Sequence, residues 1–386
     1  MILKLDTGLK IIMTKPASTQ EQELGQLRQD IDQIDQQIQS LINQRAACAQ
    51  RVAEVKQVHQ GSEDAVFYRP EREAQVLRRV MERNQGPLDD EEMARLFREL
   101  MSACLAHEQP MRIAFLGPQG TFTQAAALKH FGHSVISAPL GSIDEVFREV
   151  EAKSAHYGVV PIENSSEGMI NHTLDSFRHS SLVISGEVEM RIHQNLLLKY
   201  GTDLSQVERI YSHSQSLAQC RSWLDNHMPH AERFAVSSNA EAARRVANQA
   251  GEDVGKVAAI AGIMAAELYE LEVGHANIED QPDNTTRFLI IGHSTVPASG
   301  QDKTSLLVLA RNKPGALYHI LEPFHRHGVS MTSIESRPSG HGAWGYVFYI
   351  DFEGHHSDAK VQQVLKDLDQ DSVEVRLLGS YPQAVL

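Results

Sequence analysis

From Leu24 the chain places apolar residues at alternating spacings of three and four: Leu24, Leu27, Ile31, Ile34, Ile38, Leu41. That heptad stripe fixes the region as α-helix, because a strand carries period two and a loop carries none. Gly61 and Ser62 break it. Pro70 then opens a second helix, with Glu71 and Glu73 in the first turn, where the helix dipole favours acids. Gly86-Pro87 breaks again. Asp89 to Glu92 charge the start of a third helix, whose apolar residues are Met93, Phe97, Leu100, Met101 and Cys104. Residues 20–109 therefore read as one long helix and two shorter ones.

The period changes after Arg112. RIAFLG, YGVVPIEN, RIYSHS, RFAVSS, VAAIAG and RFLIIG read as strands, and a helical pattern follows each except the last. Residues 111–293 are thus an α/β domain, with a largely parallel sheet expected. STVPASGQDK reads as a polar linker. Residues 304–383 then run strand, helix, strand, strand, helix, strand, the βαββαβ order of ferredoxin-like α+β domains. Three domains suit 386 residues, which are too many for one core.

Bulk properties remove several classes of function. A formal net charge of −14 argues against nucleic-acid and anionic-membrane binding, but not against a small anion held by local groups. Cys48, Cys104 and Cys220 are odd in number and scattered, which fits a reducing, cytoplasmic setting. No apolar run reaches membrane-spanning length, and the apolar runs of the first thirteen residues are too short for a signal peptide. G-P-Q-G-T-F lacks the Lys-Ser/Thr of a phosphate-binding loop, and there is no G-x-G-x-x-G, which disfavours a nicotinamide dehydrogenase. None of the 19 histidines has zinc-site spacing, and His325, His327, His355 and His356 read as solvated surface.

Charged residues also stand where the helical pattern wants apolar ones. The stripe continues through Arg45, Cys48, Val52 and Val55, so Arg45 lies on the seam. Lys56, eleven residues on, shares that face about 16 Å away, and two long cations can converge on a dianion between them. Arg28 lies about 25 Å from Arg45 in the other direction, beyond reach of that ligand but within reach of its equivalent on an antiparallel partner chain. A snorkelling or register-fixing Arg45 is the competing explanation.

In the α/β region the polar residues gather where strands hand over to helices: G-P-Q-G-T-F-T (117–123), P-I-E-N-S-S-E-G (161–168), S-H-S-Q-S (212–216) and S-S-N-A-E-A (237–242). Ligands of open α/β sheets sit at such carboxyl ends, where helix N-termini present free N–H groups to anions. One such loop alone is ordinary N-capping. Four in one domain point to an anionic ligand. N-T-T-R-F-L-I-I-G (284–292) adds two hydroxyls and a cation at the mouth of a buried strand.

These motifs resemble known families. L-R-Q-D-I-D (27–32), Arg45, Lys56, R-P-E-R-E (69–73) and A-H-E-Q resemble the all-helical chorismate mutases. The resemblance implies that Arg28 of a partner chain, Arg45, Lys56, Arg72 and Glu73 hold chorismate, with Lys56 and Glu108 as donors to the breaking ether oxygen. Glu108 stands where other members have glutamine, and must be protonated to donate. The polar loops, with N-H-T-L-D, S-H-S-Q-S-L-A-Q-C and N-T-T-R-F, are similar to the prephenate dehydratases. That similarity implies two lobes closing over a cleft, like type II periplasmic binding proteins, with Thr286 catalytic. The prephenate-binding set is then Thr121, Glu163, Asn164, Ser165, Ser212, His213, Gln215, Asn239, Thr286 and Arg287, with Arg287 as a carboxylate clamp and Asn284 and Thr285 as turn and cap residues.

The C-terminal region resembles ACT regulatory domains through Asn312, Gly315, Ala316 and Leu317 at a helix start and Glu335, Ser336, Arg337 and Pro338 at a strand end. The implied ligand is L-phenylalanine, bound between chains of a homodimer or tetramer. No cofactor or metal is implied: the mutase step is an intramolecular rearrangement, and aromatisation drives the dehydratase step. Two other hypotheses stay open at this point. One is a two-lobed solute-binding protein without turnover; the other is a dehydratase whose N-terminal helices serve only for dimerisation.

Overall fold

The computed structural model describes residues 17–60, 67–251, 254–310, 313–338, 345–371 and 374–386. The chain divides into two compact units, Met1–Ala65 and Val66–Leu386. In the first, helix α1 runs from Ala17 to Gln60. Its stripe residues Leu24, Leu27, Ile31, Ile34, Ile38 and Leu41 are all exposed in the single chain.

The second unit begins with α2 (Pro70–Glu82) and α3 (Asp90–Glu108). Pro70 stands at the start of α2, and the Asp89 side chain caps α3 by accepting from Glu92 N. Both helices belong to the same compact unit as the α/β region. Tyr68 packs among Phe115, Phe131 and Phe288. Arg98 of α3 donates to the carbonyls of Lys129 and His130.

Two sheets follow. The first contains β1 (Arg112–Leu116), β2 (Ile136–Leu140), β3 (Tyr157–Asn164), β4 (Gly168–Met169), β5 (Val183–Arg191) and β11 (Thr285–Gly292), in the order β2-β1-β3-β11-β5 with β4 on β3. Its helices are α4 (Phe122–Phe131), α5 (Ile143–Glu151) and α6 (Asn171–His179). The second contains β6 (Asn195–Leu198), β7 (Arg209–His213), β8 (Glu232–Val236), β9 (Val257–Ala261) and β10 (Glu272–His275), ordered β10-β6-β9-β7-β8. With it go α7 (Ser214–Gln219), α8 (Arg221–His227), α9 (Asn239–Ala247) and α10 (Ile263–Leu268).

The second lobe is thus inserted between β5 and β11 of the first. The two crossing segments are paired, Ile192 N donating to Asn284 O and Ile278 N to Gln194 O, each at 2.8 Å. This topology corrects the expected parallel sheet. The β1–β2, β1–β3, β7–β8 and β7–β9 pairs are parallel, but β11 runs antiparallel to both β3 and β5, and β6 antiparallel to β9 and β10. A chain that leaves one lobe and returns to it must bring its return strand back reversed. Strand β5 escapes the apolar-run criterion because Ser185, Gly186 and Glu187 interrupt it, although all three are buried.

The C-terminal domain comprises β12 (Asp302–Ala310), α11 (Ala316–His327), β13 (Met331–Pro338), β14 (Tyr346–Glu353), α12 (Ala359–Asp371) and β15 (Glu374–Pro382). Its sheet order is β13-β14-β12-β15, antiparallel throughout. One face, with Leu306, Val308, Ile350 and Phe352, packs on α11 and α12. The other face, with Leu307, Val347, Tyr349, Leu378 and Tyr381, shares a core with Leu289 and Ile291 of β11 and with α5 and α6. The approach is close: a Cβ at Gly379 would lie 2.3 Å from the Ile184 carbonyl oxygen, so only glycine fits there.

Two surface expectations are overturned. The supposed linker is a packed turn, with Val296, Ser299, Asp302 and Lys303 buried and Asp302 accepting from Ser299 N and Gly300 N. His355 is likewise buried, paired through Nε2 with the Val296 carbonyl oxygen at 2.9 Å. Local polarity marks both segments as exposed, but internal hydrogen bonds allow them to be buried.

Candidate active site

A cleft of about 340 Å³ lies between the two lobes. The first lobe contributes Thr121, Phe122, Asn164, Asn284, Thr286 and Phe288, and the second Gln194, His213, Gln215, Gln219, Ser238 and Asn239.

The hydrogen-bond directions at the floor are fixed. Asn164 Oδ1 accepts from Ser166 N at 3.0 Å and Glu167 N at 3.2 Å. Its Nδ2 must therefore be the donor, to Thr286 Oγ1 and to Asn284 Oδ1, each at 2.8 Å. Because Thr286 Oγ1 accepts from Asn164, its own hydrogen is available to a group in the cleft. Thr286 is only 8% exposed and stands opposite Asn164 in the β11–β3 ladder, so this pairing is a property of the sheet register. Asn284 Nδ2 is buried with no hydrogen-bond partner.

The wall from the second lobe is organised around Asn239. Its Oδ1 accepts from His213 N at 3.2 Å, and its Nδ2 donates to Ser216 Oγ at 2.9 Å. His213 Nδ1 accepts from Gln215 N and caps α7. Thr121 caps α4 and Ser238 caps α9, so both of these helices begin at the cleft.

Among the described residues, those lining the cleft include no Lys, Arg, Asp or Glu. An anion here meets amides, hydroxyls and helix N-termini, while Phe122 and Phe288 offer apolar faces to a ring.

Thr121, Asn164, His213, Gln215, Asn239 and Thr286 are therefore brought together in this cleft. Four members of that set are not. Ser212 is fully buried and donates to the Ile260 carbonyl oxygen at 2.7 Å. Ser165 Oγ accepts from Thr285 N at 3.0 Å, stapling the turn after β3 to the start of β11. Glu163 and Arg287 alternate with Asn164 and Thr286 along their strands and so project from the opposite face of the sheet. The Arg287 guanidinium is buried and each of its nitrogens has a partner away from the cleft: Nε meets Glu187 at 2.7 Å, Nη1 meets Asp351 at 2.6 Å and lies 4.0 Å from Glu163, and Nη2 meets Tyr381 OH at 2.9 Å. It cannot also clamp a carboxylate in the cleft.

Asn284 is the reverse case. Read locally it is a turn residue, but it is 2% exposed and lines the cleft. Gln219 was also missed. The sequence does carry a signal for it, since it lies four residues after Gln215 on α7 and so shares its face.

Of the residues matched to chorismate binding, Arg28, Arg45 and Lys56 lie on α1, Arg72 and Glu73 on α2, and Glu108 ends α3. Arg72 is exposed, but Glu73 is not available to a ligand: its carboxylate meets Arg98 Nε at 3.1 Å, and both side chains are nearly buried. Burial raises the Glu73 pKa, and Arg98 opposes that rise. Beside this pair Tyr68 OH meets His130 Nε2 at 2.9 Å, and burial, then Arg98, holds the His130 pKa well below the usual histidine range.

In the C-terminal domain Gly315 has φ 81° and precedes α11, whose first residues are Ala316 and Leu317. Glu335, Ser336, Arg337 and Pro338 end the edge strand β13, where Arg337 Nη2 meets Asp175 of α6 at 2.8 Å. Asn312 lies outside the described residues. Among the described residues, no cluster of three His, Cys, Asp or Glu could hold a metal ion, and no helix is long and apolar enough to cross a membrane.

Three family models match successive parts of the chain. Residues 27–109 match the family model for chorismate mutase type II, 113–296 that for prephenate dehydratase and 304–370 that for the ACT domain. A bifunctional chorismate mutase/prephenate dehydratase of Pseudomonas aeruginosa is 58% identical over 95% of this chain and 99% of its own length. One from Stutzerimonas stutzeri is 59% identical over 94% of this chain and 99% of its own. Among solved structures, a prephenate dehydratase from Arthrobacter aurescens in complex with L-Phe superposes with a TM-score of 0.65 at 37% identity, over 71% of this chain and 90% of that one.

Proposed function

We propose, from the premise that this chain belongs to the bifunctional chorismate mutase/prephenate dehydratase family, that it rearranges chorismate to prephenate and converts prephenate to phenylpyruvate under feedback by L-phenylalanine. The observation that carries the dehydratase half is Thr286, held by Asn164 with its hydroxyl hydrogen free, at the floor of a two-lobed cleft.

The chemistry fits uncharged donors. Prephenate loses its ring carboxylate as carbon dioxide, and the electrons of that C–C bond aromatise the ring as the C4 hydroxyl departs with one proton as water. The protein must orient two carboxylates and stabilise a departing oxygen. Thr286 donates to that oxygen, and Asn164 keeps the hydroxyl aimed. Asn239, Gln215, His213 and the starts of α4 and α9 receive carboxylates.

For the mutase half we assign Arg28 of a partner copy, Arg45, Lys56, Arg72 and Glu108, and omit Glu73 because Arg98 holds it. The rearrangement asks only for a compact conformer and donors to the ether oxygen. The exposed heptad stripe of α1 supports a dimer. The three free cysteines support a cytoplasmic setting.

One incubation tests the whole: purified protein is given chorismate, and prephenate and phenylpyruvate are followed with and without phenylalanine. Both products should form, and phenylalanine should suppress phenylpyruvate. Prephenate that accumulates without conversion refutes the dehydratase, and binding without turnover returns the solute-binding alternative.

A further inference from the structure

Thr286 and Arg287 are consecutive on β11, and the side chain after the catalytic hydroxyl reaches into the C-terminal domain. We propose that Arg287 is a positioning residue that couples the regulatory sheet to Thr286, and that phenylalanine acts on the dehydratase through the hydrogen-bond ring around this guanidinium. This inference rests on the function proposed above and adds the physical link.

The ring closes on itself. Arg287 Nη2 donates to Tyr381 OH at 2.9 Å, and Ser305 Oγ donates to Asp351 Oδ1 at 2.5 Å. Ser305 has only one hydrogen, so the 2.8 Å contact between Ser305 Oγ and Tyr381 OH has tyrosine as donor. Asp351 Oδ2 then accepts from Arg287 Nη1 at 2.6 Å, completing the circuit. Tyr381, Ser305 and Asp351 come from β15, β12 and β14, three strands of the regulatory sheet. Outside the ring, Glu187 Oε2 of β5 accepts from Arg287 Nε at 2.7 Å and from Lys303 Nζ of β12 at 2.8 Å.

Arg287 and Lys303 face the carboxylates of Glu187 and Asp351 beside a shared apolar core, with the more exposed Glu163 carboxylate 4.0 Å from Arg287 Nη1 at the edge. Such a cluster tolerates little sliding, because each partner that slips leaves a buried charge unpaired. A shift of the C-terminal sheet must therefore carry Arg287 with it or break the ring. Either outcome is felt at the neighbouring residue, whose 2.8 Å bond to Asn164 spans the β11–β3 register. In the proposal, phenylalanine acts by biasing whether this ring stays closed, since coupling requires the ligand to favour one state over another.

The test uses the full-length protein with Tyr381→Phe, which opens the ring without touching a charge, and Asp351→Asn. Ser305→Ala is the milder third variant should either fail to fold. Dehydratase kcat/KM for prephenate is measured without and with saturating phenylalanine, and phenylalanine binding is followed by titration calorimetry. We expect phenylalanine still to bind, while the ratio of uninhibited to inhibited kcat/KM falls at least about fivefold, the low end of ordinary coupling. Folded variants that bind phenylalanine and are inhibited to within about twofold of the wild type overturn the inference. A wild type that converts prephenate but ignores phenylalanine removes the regulatory function itself, and is recognised without any variant.

Discussion

Replacing Thr286 by valine removes one hydroxyl and almost no volume. On the folded state the cost is small. Asn164 Nδ2 loses one of two acceptors and keeps Asn284 Oδ1. An unmet buried donor costs about 1–3 kcal/mol, and the added buried methyl returns part of that. Each net kcal/mol lost should lower the melting temperature by about 2–4 °C in a large domain. On catalysis the cost is large. In the proposed mechanism the lost donor faces the departing oxygen, in a cleft whose described lining holds no Lys, Arg, Asp or Glu, and deletion of one such donor lowers kcat by about 10²–10³, or roughly 2.7–4 kcal/mol. KM for prephenate should barely move, because the interaction belongs to the transition state. Thr286→Ser, which keeps the hydroxyl, should recover most of the rate. The assay is formation of phenylpyruvate from prephenate, with thermal unfolding in parallel. A valine variant within about threefold of the wild-type kcat, well short of the deletion cost, would refute the role of the hydroxyl.

Arg287→Met should act in the opposite way, on folding first. It leaves Asp351 without its cation and Glu187 with only Lys303, at a cost of about 3–5 kcal/mol, read by chemical denaturation; an unchanged stability with a raised KM would restore the substrate clamp. His130 is buried with its pKa depressed, so the unfolded chain binds its proton first, and the stability it contributes is present above the ordinary histidine pKa and lost as pH falls below it. The loss approaches about 1.4 kcal/mol per pH unit below that value, and His130→Gln should flatten the fall in melting temperature between about pH 7 and 5.5. Mutase activity should fall as pH rises through the titration of Glu108, and Glu108→Gln should abolish that dependence; a flat wild-type profile from about pH 5 to 8 counts against Glu108 as a donor.

Much of the fold was legible because it is written in local periods. The heptad stripe gives α1, Pro70 and Asp89 mark the starts of α2 and α3, and the strand–helix succession of the C-terminal region is the observed one. The largely parallel sheet was not observed, because the direction of β11 depends on where a chain returns after building another lobe. Strand β5 escaped notice because Glu187 breaks its apolar run, and only distant Arg287 and Lys303 make its burial tolerable. The linker and His355 misled in the same way: polarity signals exposure unless a partner remote in sequence satisfies it.

The site divides along the same line. By itself the sequence determined that Thr286 and Asn164 belong to polar strand ends, because hydroxyls and amides beside buried runs stand out locally. The period of two along a strand also forbids Thr286 and Arg287 from sharing a face, although their adjacency in the motif suggests a pair. Only the tertiary structure decided which face meets the cleft and which meets the C-terminal sheet. Asn284 passed from turn residue to cleft residue, and Arg287 from ligand clamp to the centre of a buried ring, because neither role is a property of nearby residues. Each depends on Asn164, Asp351 or Tyr381, held at sequence separations that no local pattern reports.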